Sequence, residues 1–410
     1  MISDTSPDTP SSGSVALRRI VWPLAIAETI VWASMYYVFA ALLPAWESDL
    51  GWSKTTISGA FTVALVASAA FSPVAGWLID RGFARAVLAG GAAAGAVLLG
   101  LLSFAHEIWQ FYVVWFGLGI VLACVLYQTS FALLTHALGD RARRAITLVS
   151  LVAGFAGTLS FPTAHALADI GSWRLAVAVF AGASALIAVP LFWLSAGRAM
   201  QLSHAMTTRS EMRTRDAMQA LRRGAFWLIA ASFALVALEH GIVTTHILPI
   251  LAERGVQQDA AVFAAAMIGP MQVAGRLAMM AGERHVTTRT IALGCYLSMA
   301  VAIGLLLAAA LDPGFVVGFV ILMGAGIGVN SIVRPLVVNE LLGRKNFGLI
   351  TGLLNVPTTM GYAIAPTLAA IIWMRGGYDL VLVVALAVTV LAIGTLLLAW
   401  RAAPATNPPA

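Results

Sequence analysis

Few side chains in this 410-residue chain have types and positions suited to chemistry, and most of those lie inside long apolar stretches. Arg276 and Arg334 are the two basic residues so placed; the acids are Glu28 and Glu239, and His240 and His246 follow the second. Ionisable groups are costly in hydrocarbon and mark a pathway when they occur there. Arginine stays protonated and offers a planar fork matched to carboxylate or phosphate, so one in a central cavity implies an anionic ligand. The plainer alternative for Arg276 is a structural ion pair with Glu239 or Glu28. A carboxylate in low dielectric and a histidine both titrate near neutrality, so Glu28, Glu239 and His246 are candidates for proton coupling. Glu239 and His246 stand seven residues apart, on one helix face about 10 Å from each other. Hydrogen bonding to a neighbouring helix is the alternative for each.

Asn330 precedes Arg334 by four residues on one helix face, and Pro335 weakens the helix there. This pair reads either as a second substrate contact or as a gate bridging to Glu340 or to an acid between helices 4 and 5. Tyr36, Tyr37, Tyr127, Gln128 and Asn355 are candidate cavity-lining residues, with packing as the alternative for the tyrosines. Cys124, Cys295 and the histidines lack metal-ligand spacing, so no metal or other cofactor is expected. Gly324, Gly326 and Gly328 imitate a nucleotide loop, but a third glycine of that fingerprint would fall on Val329 and the run lies within an apolar span. It reads as packing. No Walker loop, nucleophile elbow or HExxH occurs, so an enzyme is not expected.

The elements that must position these residues follow from composition. The chain is 60% hydrophobic and 10% charged, with a mean hydropathy of +0.91, against about 25% charged in soluble domains. The apolar segments are continuous rather than alternating, which excludes a membrane β-barrel. They form spans at about 20–44, 55–79, 86–105, 108–138, 145–168 and 174–196, then 225–249, 260–282, 290–311, 315–341, 347–373 and 380–400. The expected fold is an all-α polytopic membrane protein, with twelve transmembrane helices in two six-helix bundles. Residues 1–19 read as a disordered tail, 20–196 and 225–401 as the bundles, 197–224 as a basic linker and 402–410 as a second tail.

If the N-terminus is cytoplasmic, eighteen of the 24 basic residues fall in cytoplasmic segments, four (Lys54, Arg174, Arg254, Arg375) fall opposite, and two lie inside spans. That asymmetry predicts a multi-pass protein with both termini cytoplasmic, in the cell's inner membrane. The net charge of +6 is then an orientation signal rather than a sign of nucleic-acid binding.

Six spans on either side of a linker suggest related halves with a site where they meet. The turn after span 2 reads Gly76-Trp77-Leu78-Ile79-Asp80-Arg81-Gly82-Phe83-Ala84-Arg85, and Glu283-Arg284 stands at the equivalent turn of the second half. The first of these resembles the signature loop of the major facilitator superfamily, with Gly82 one residue early. Further residues resemble its monocarboxylate-porter and oxalate/formate-antiporter-like branch: Gly51-Trp52-Ser53, Asp140-Arg141, Arg143-Arg144, His246-Ile247-Leu248-Pro249, Arg276, Gly343-Arg344, and Asn355 through Pro366. The resemblance spans helix 1 to helix 12. It implies the major facilitator fold, gating roles for Asp80, Arg81, Arg85, Glu283 and Arg284, and a substrate-carboxylate role for Arg276. Gln272 stands where such porters hold an acid one turn earlier, so proton handling falls to other groups.

The function expected from sequence is secondary transport of a small organic anion by alternating access, with proton coupling, by a monomer in the lipid bilayer. The alternatives are an exporter of drugs or other toxic compounds and a non-transporting membrane sensor.

Overall fold

The computed structural model describes residues 12–206, 221–282, 286–344 and 346–402. The apolar stretches all become helix, because a backbone in hydrocarbon has to satisfy its own N–H and C=O groups. Helix α1 runs through Ser12–Val31, a π-helical segment Trp32–Tyr37 and Val38–Leu50; α2 is Lys54–Asp80 and α3 is Ala84–Leu102. Helix α4 has two pieces, Ile108–Val125 and Tyr127–Leu138; α5 has two, Ala142–Ala153 and Ala156–Ile170. Helix α6 comprises Trp173–Ala183, a second π segment Ser184–Ala188 and Val189–Met206. The second half holds α7 (Gly224–Glu253), α8 (Gln258–Gly282), α9 (Thr288–Ala308) and α10 (Phe315–Leu342). Phe347–Ala402 is divided by non-helical backbone at Gly376 and Gly377, giving α11 (347–375) and α12 (378–402). The architecture is the expected one of twelve helices in two sets of six.

Helix extends beyond the apolar stretches at both ends of the first half, from Ser12 in α1 and to Met206 in α6, since neither flank carries a proline. Much of the linker, 207–220, and the outer parts of both tails lie outside the described residues, as do Glu283 and Arg284. The spans expected at 108–138 and 145–168 are each broken. Helix α4 breaks at Leu126, whose backbone is extended (φ −85°, ψ 178°), and α5 breaks at Gly154 and Phe155. Such breaks are tolerated at membrane depth only where the freed backbone faces protein or a cavity. The two π segments are tied to each other by Ser34 and Ser184, whose hydroxyls lie 2.8 Å apart. Large apolar side chains cover the circumference, among them Leu186 (79% exposed) and Phe104 (74%), as a lipid-facing surface requires.

The two halves repeat with an offset of 205 residues. Asp49 at the end of α1 pairs with Arg174 at the start of α6, and Arg254 at the end of α7 pairs with Asp379 at the start of α12. Both members of each pair shift by the same offset while the charges exchange helices. Trp173 and Arg174 both donate to Asp49 and hold its carboxyl below the usual carboxylate range. This clamp therefore persists until the pH falls through that lowered value.

These pairs tie helices within one half. Contacts between halves concentrate at the other end of the bundle, which carries the linker and is here termed the linker end. There α2 and α11 approach so closely that a Cβ on Gly76 would stand 1.9 Å from the Gly348 carbonyl oxygen. Any larger residue at either position separates the helices.

Candidate functional site

Asp80 closes the linker end. Its buried carboxylate accepts the main-chain N–H groups of Gly348 (Oδ1, 2.7 Å) and Leu349 (Oδ2, 2.7 Å), so an acid of the first half caps the N-terminus of α11 in the second. A carboxylate there satisfies two orphan donors and complements the helix dipole. His136 of α4 completes the arrangement at 2.7 Å from Oδ1. Arg81 and Arg85, expected with Asp80 as gating residues, stack on Trp77 and Trp193, with guanidinium carbons 3.9 and 3.6 Å from the ring centroids.

One layer deeper, Gln128 Nε2 donates to Asn355 Oδ1 (2.8 Å), and Asn355 Nδ2 donates to Ser72 Oγ (3.0 Å). This polar chain joins α4, α11 and α2. The pseudo-equivalent contact between α5 and α8 is made by Arg276, whose Nη1 donates to the Ser150 carbonyl across the seam at 2.9 Å. Its Nε donates to Gly328 O of its own half at 3.1 Å. Asn355 follows Ser150 by the same 205 residues that relate the ion pairs. These hydrogen bonds between halves all lie in the linker-end half of the bundle. The polar ties between the halves thus gather at the linker end and seal it.

Arg276 is buried (5% exposed), yet among the described residues no ion pair includes it or Arg334. Its expected structural partners, Glu239 and Glu28, do not pair with it. Tyr37 and Tyr127 are within its electrostatic reach. Arg334 donates Nη2 to Thr358 Oγ1 (3.1 Å), lies 5.1 Å from the Phe233 ring centroid, and leaves Nε without a partner. Glu340, its expected gate partner, instead accepts from Trp400. Asn330 Oδ1 is unpartnered, and Gln272 packs its main chain against Gly328.

The two acids are fully buried, and neither Glu28 nor Glu239 has a hydrogen-bond partner on either carboxylate oxygen. The Trp32 indole N–H and Ser130 hydroxyl lie beside Glu28 and are themselves unpartnered. Tyr362 lies within electrostatic reach of both Glu239 and Arg334. His246 lies apart from this group, with Nδ1 3.0 Å from the Tyr378 hydroxyl and Nε2 3.3 Å from Pro366 O.

Tyr36, Tyr37, Trp32 and Tyr127 form one aromatic wall, with Trp32 centred 4.9 Å from both Tyr36 and Tyr127. A cavity of about 100 Å³ adjoins it across the seam, lined by Tyr127, Gln128, Phe233, Ser331, Arg334 and Thr351. A larger one of about 310 Å³ lies among α8, α9 and α10 and is almost wholly apolar, so it offers an ionic ligand nothing. Sequence reasoning missed Ser150, Thr358 and Tyr362. Each is an ordinary residue in an apolar stretch, and only helix packing shows what it meets.

Two helical bundles, sealed against each other at one end and carrying unpaired charge at their seam, define a membrane transporter of the alternating-access class. The model of the Major Facilitator Superfamily matches residues 24–333, and the chain belongs to that family. Similar solved structures include the transporter FucP in its outward conformation, with a TM-score of 0.72 at 13% identity, covering 94% of this chain and 99% of that one. The proton:xylose symporter XylE bound to 6-bromo-6-deoxy-D-glucose gives 0.71 at 13% identity, with 95% and 96% covered. A variant of the E. coli fucose:proton symporter FucP gives 0.69 at 14% identity, with 93% and 99% covered. No curated protein sequence matches the chain.

Proposed function

We propose that this protein is a secondary transporter that carries a small, monocarboxylate-like organic anion through the seam between its halves, coupled to protons. It works as a monomer in the cell's inner membrane, with its termini and linker on the cytoplasmic side. The observation that carries the reading is Arg276, a buried guanidinium at the seam held by main-chain carbonyls, with no acid paired to it among the described residues. An unpaired buried charge costs several kcal/mol, and a carboxylate that reaches Arg276 along the seam removes that cost. Arg334, which lines the seam cavity and whose Nε has no hydrogen-bond partner, supplies a further contact, joined by Asn330, Gln272, Gln128, Asn355, Tyr36 and Tyr127 along the path. Glu239 and Glu28 are the proton-coupling groups, two fully buried carboxyl groups within the spans that no basic side chain pairs with among the described residues; His246 modulates the coupling. Asp80, Arg81, Arg85, Glu283 and Arg284 belong to the linker-end gate.

The aromatic wall of Trp32, Tyr36, Tyr37 and Tyr127 favours one second reading, export of amphipathic toxic compounds. Proteoliposome uptake of labelled lactate, pyruvate, oxalate, fucose and a cationic dye, with and without a pH gradient, separates the readings. The anion reading requires saturable, gradient-stimulated carboxylate uptake. Movement of the dye or the sugar without any carboxylate would overturn it.

A further inference from the structure

Helix α5 breaks beside Arg276, and the break has a shape. Gly154 is the first residue after the piece Ala142–Ala153, and its N–H still donates to Ser150 O at 3.0 Å. That same carbonyl receives Arg276 Nη1 from the other half. A Cβ built on Gly154 would stand 2.3 Å from Nη1, nearer than any other atom it would meet; Leu151 O and Ser150 O follow at 3.1 and 3.4 Å. The missing side chain is therefore the notch that the guanidinium occupies. Because Arg276 is also held by Gly328 O at 3.1 Å, it cannot swing aside and keep both bonds.

We propose that Gly154 is a positioning residue for Arg276, and that the guanidinium seated in its notch is a charged tie holding the halves together at the linker end. The tie differs from its pseudo-equivalent, Ser72 to Asn355, which is neutral and side chain to side chain. Only the charged tie responds to an anion: a carboxylate drawn to Arg276 competes with Ser150 O and loosens the seal. That last step rests on the anion reading above, whereas the tie itself does not.

The test needs no substrate. Spin labels are placed at exposed linker-end positions of each half, Phe83→Cys and Ala281→Cys, in full-length protein carrying Cys124→Ser and Cys295→Ser. Pulsed-dipolar distances are then measured in nanodiscs. The parent should give one dominant short-distance population. Gly154→Ala and Arg276→Gln should each lower the closed-to-open ratio roughly tenfold or more, the size of a lost hydrogen bond to a charged donor. The double variant should match Arg276→Gln alone, because the methyl then displaces nothing. An undiminished effect of Gly154→Ala in the Arg276→Gln background would overturn the proposal, since the glycine would then act through helix packing. So would unchanged distances in either single variant. If Gly154→Ala fails to fold while the double variant folds, the clash with the guanidinium stands; if neither folds, the proposal falls.

Discussion

Arg276 does not stand free in the cavity; it rests on two carbonyls and reaches across the seam. Lysine offers one point charge where arginine offers a fork, so Arg276→Lys should fail nearly as completely as Arg276→Ala. Loss of a charge-assisted bond predicts roughly a tenfold or greater fall in kcat/KM, with folding retained by size-exclusion profile. Folding lost in Arg276→Ala but restored by a second change at Glu239 would instead indicate a structural ion pair. Glu239→Gln imitates a permanently protonated group. It should preserve counterflow exchange in proteoliposomes and abolish accumulation driven by a pH gradient. Equal accumulation by variant and parent would move the coupling role to Glu28. His246, bonded to Tyr378 and Pro366 O, should on substitution by alanine shift the pH optimum more than the affinity. Sequence alone exposed these residues because charge inside an apolar run is conspicuous. It gave no sign that Arg276 meets Ser150 or that Arg334 meets Thr358, because main-chain carbonyls and small hydroxyls occur throughout every helix.

Helices α2 and α11 act as one closing element. Their contact needs two glycines back to back and an acid placed to cap α11. Gly76→Leu should hold the linker end apart, raising the long-distance population between labels there while stopping transport. Asp80→Ala leaves two helix N–H groups and His136 without an acceptor. At about 1 kcal/mol for a lost cap, it should shift the same equilibrium several-fold; unchanged distances would remove Asp80 from the gate. The signature loop made Asp80 and the basic residues around it legible, but gave no sign of what Arg81 and Arg85 meet. They stack on Trp77 and Trp193, because a guanidinium near an interface gains from an aromatic face. The breaks at Leu126 and Gly154 were not legible either: each lies in an unbroken apolar run with no proline at the break.

For the whole molecule, the twelve-helix, two-bundle plan was readable from hydropathy and the basic linker, since bilayer thickness fixes helix length. The 205-residue correspondence between Asp49–Arg174 and Arg254–Asp379 was not, because the charges change places and little else matches. The 18-to-4 distribution of basic residues predicts that a reporter active only outside the cytoplasm stays silent when fused after Arg401; activity there would reverse the orientation. The central claim is that an anion moves through this seam on Arg276, driven by protons. The most direct measurement compares lactate and oxalate uptake into proteoliposomes holding the parent or Arg276→Lys, each with and without an imposed pH gradient. The paired design subtracts passive leakage of the protonated acids. The account predicts saturable uptake by the parent that the gradient increases and that Arg276→Lys loses in both conditions. Uptake that is equal in parent and variant, or indifferent to the gradient, would contradict it.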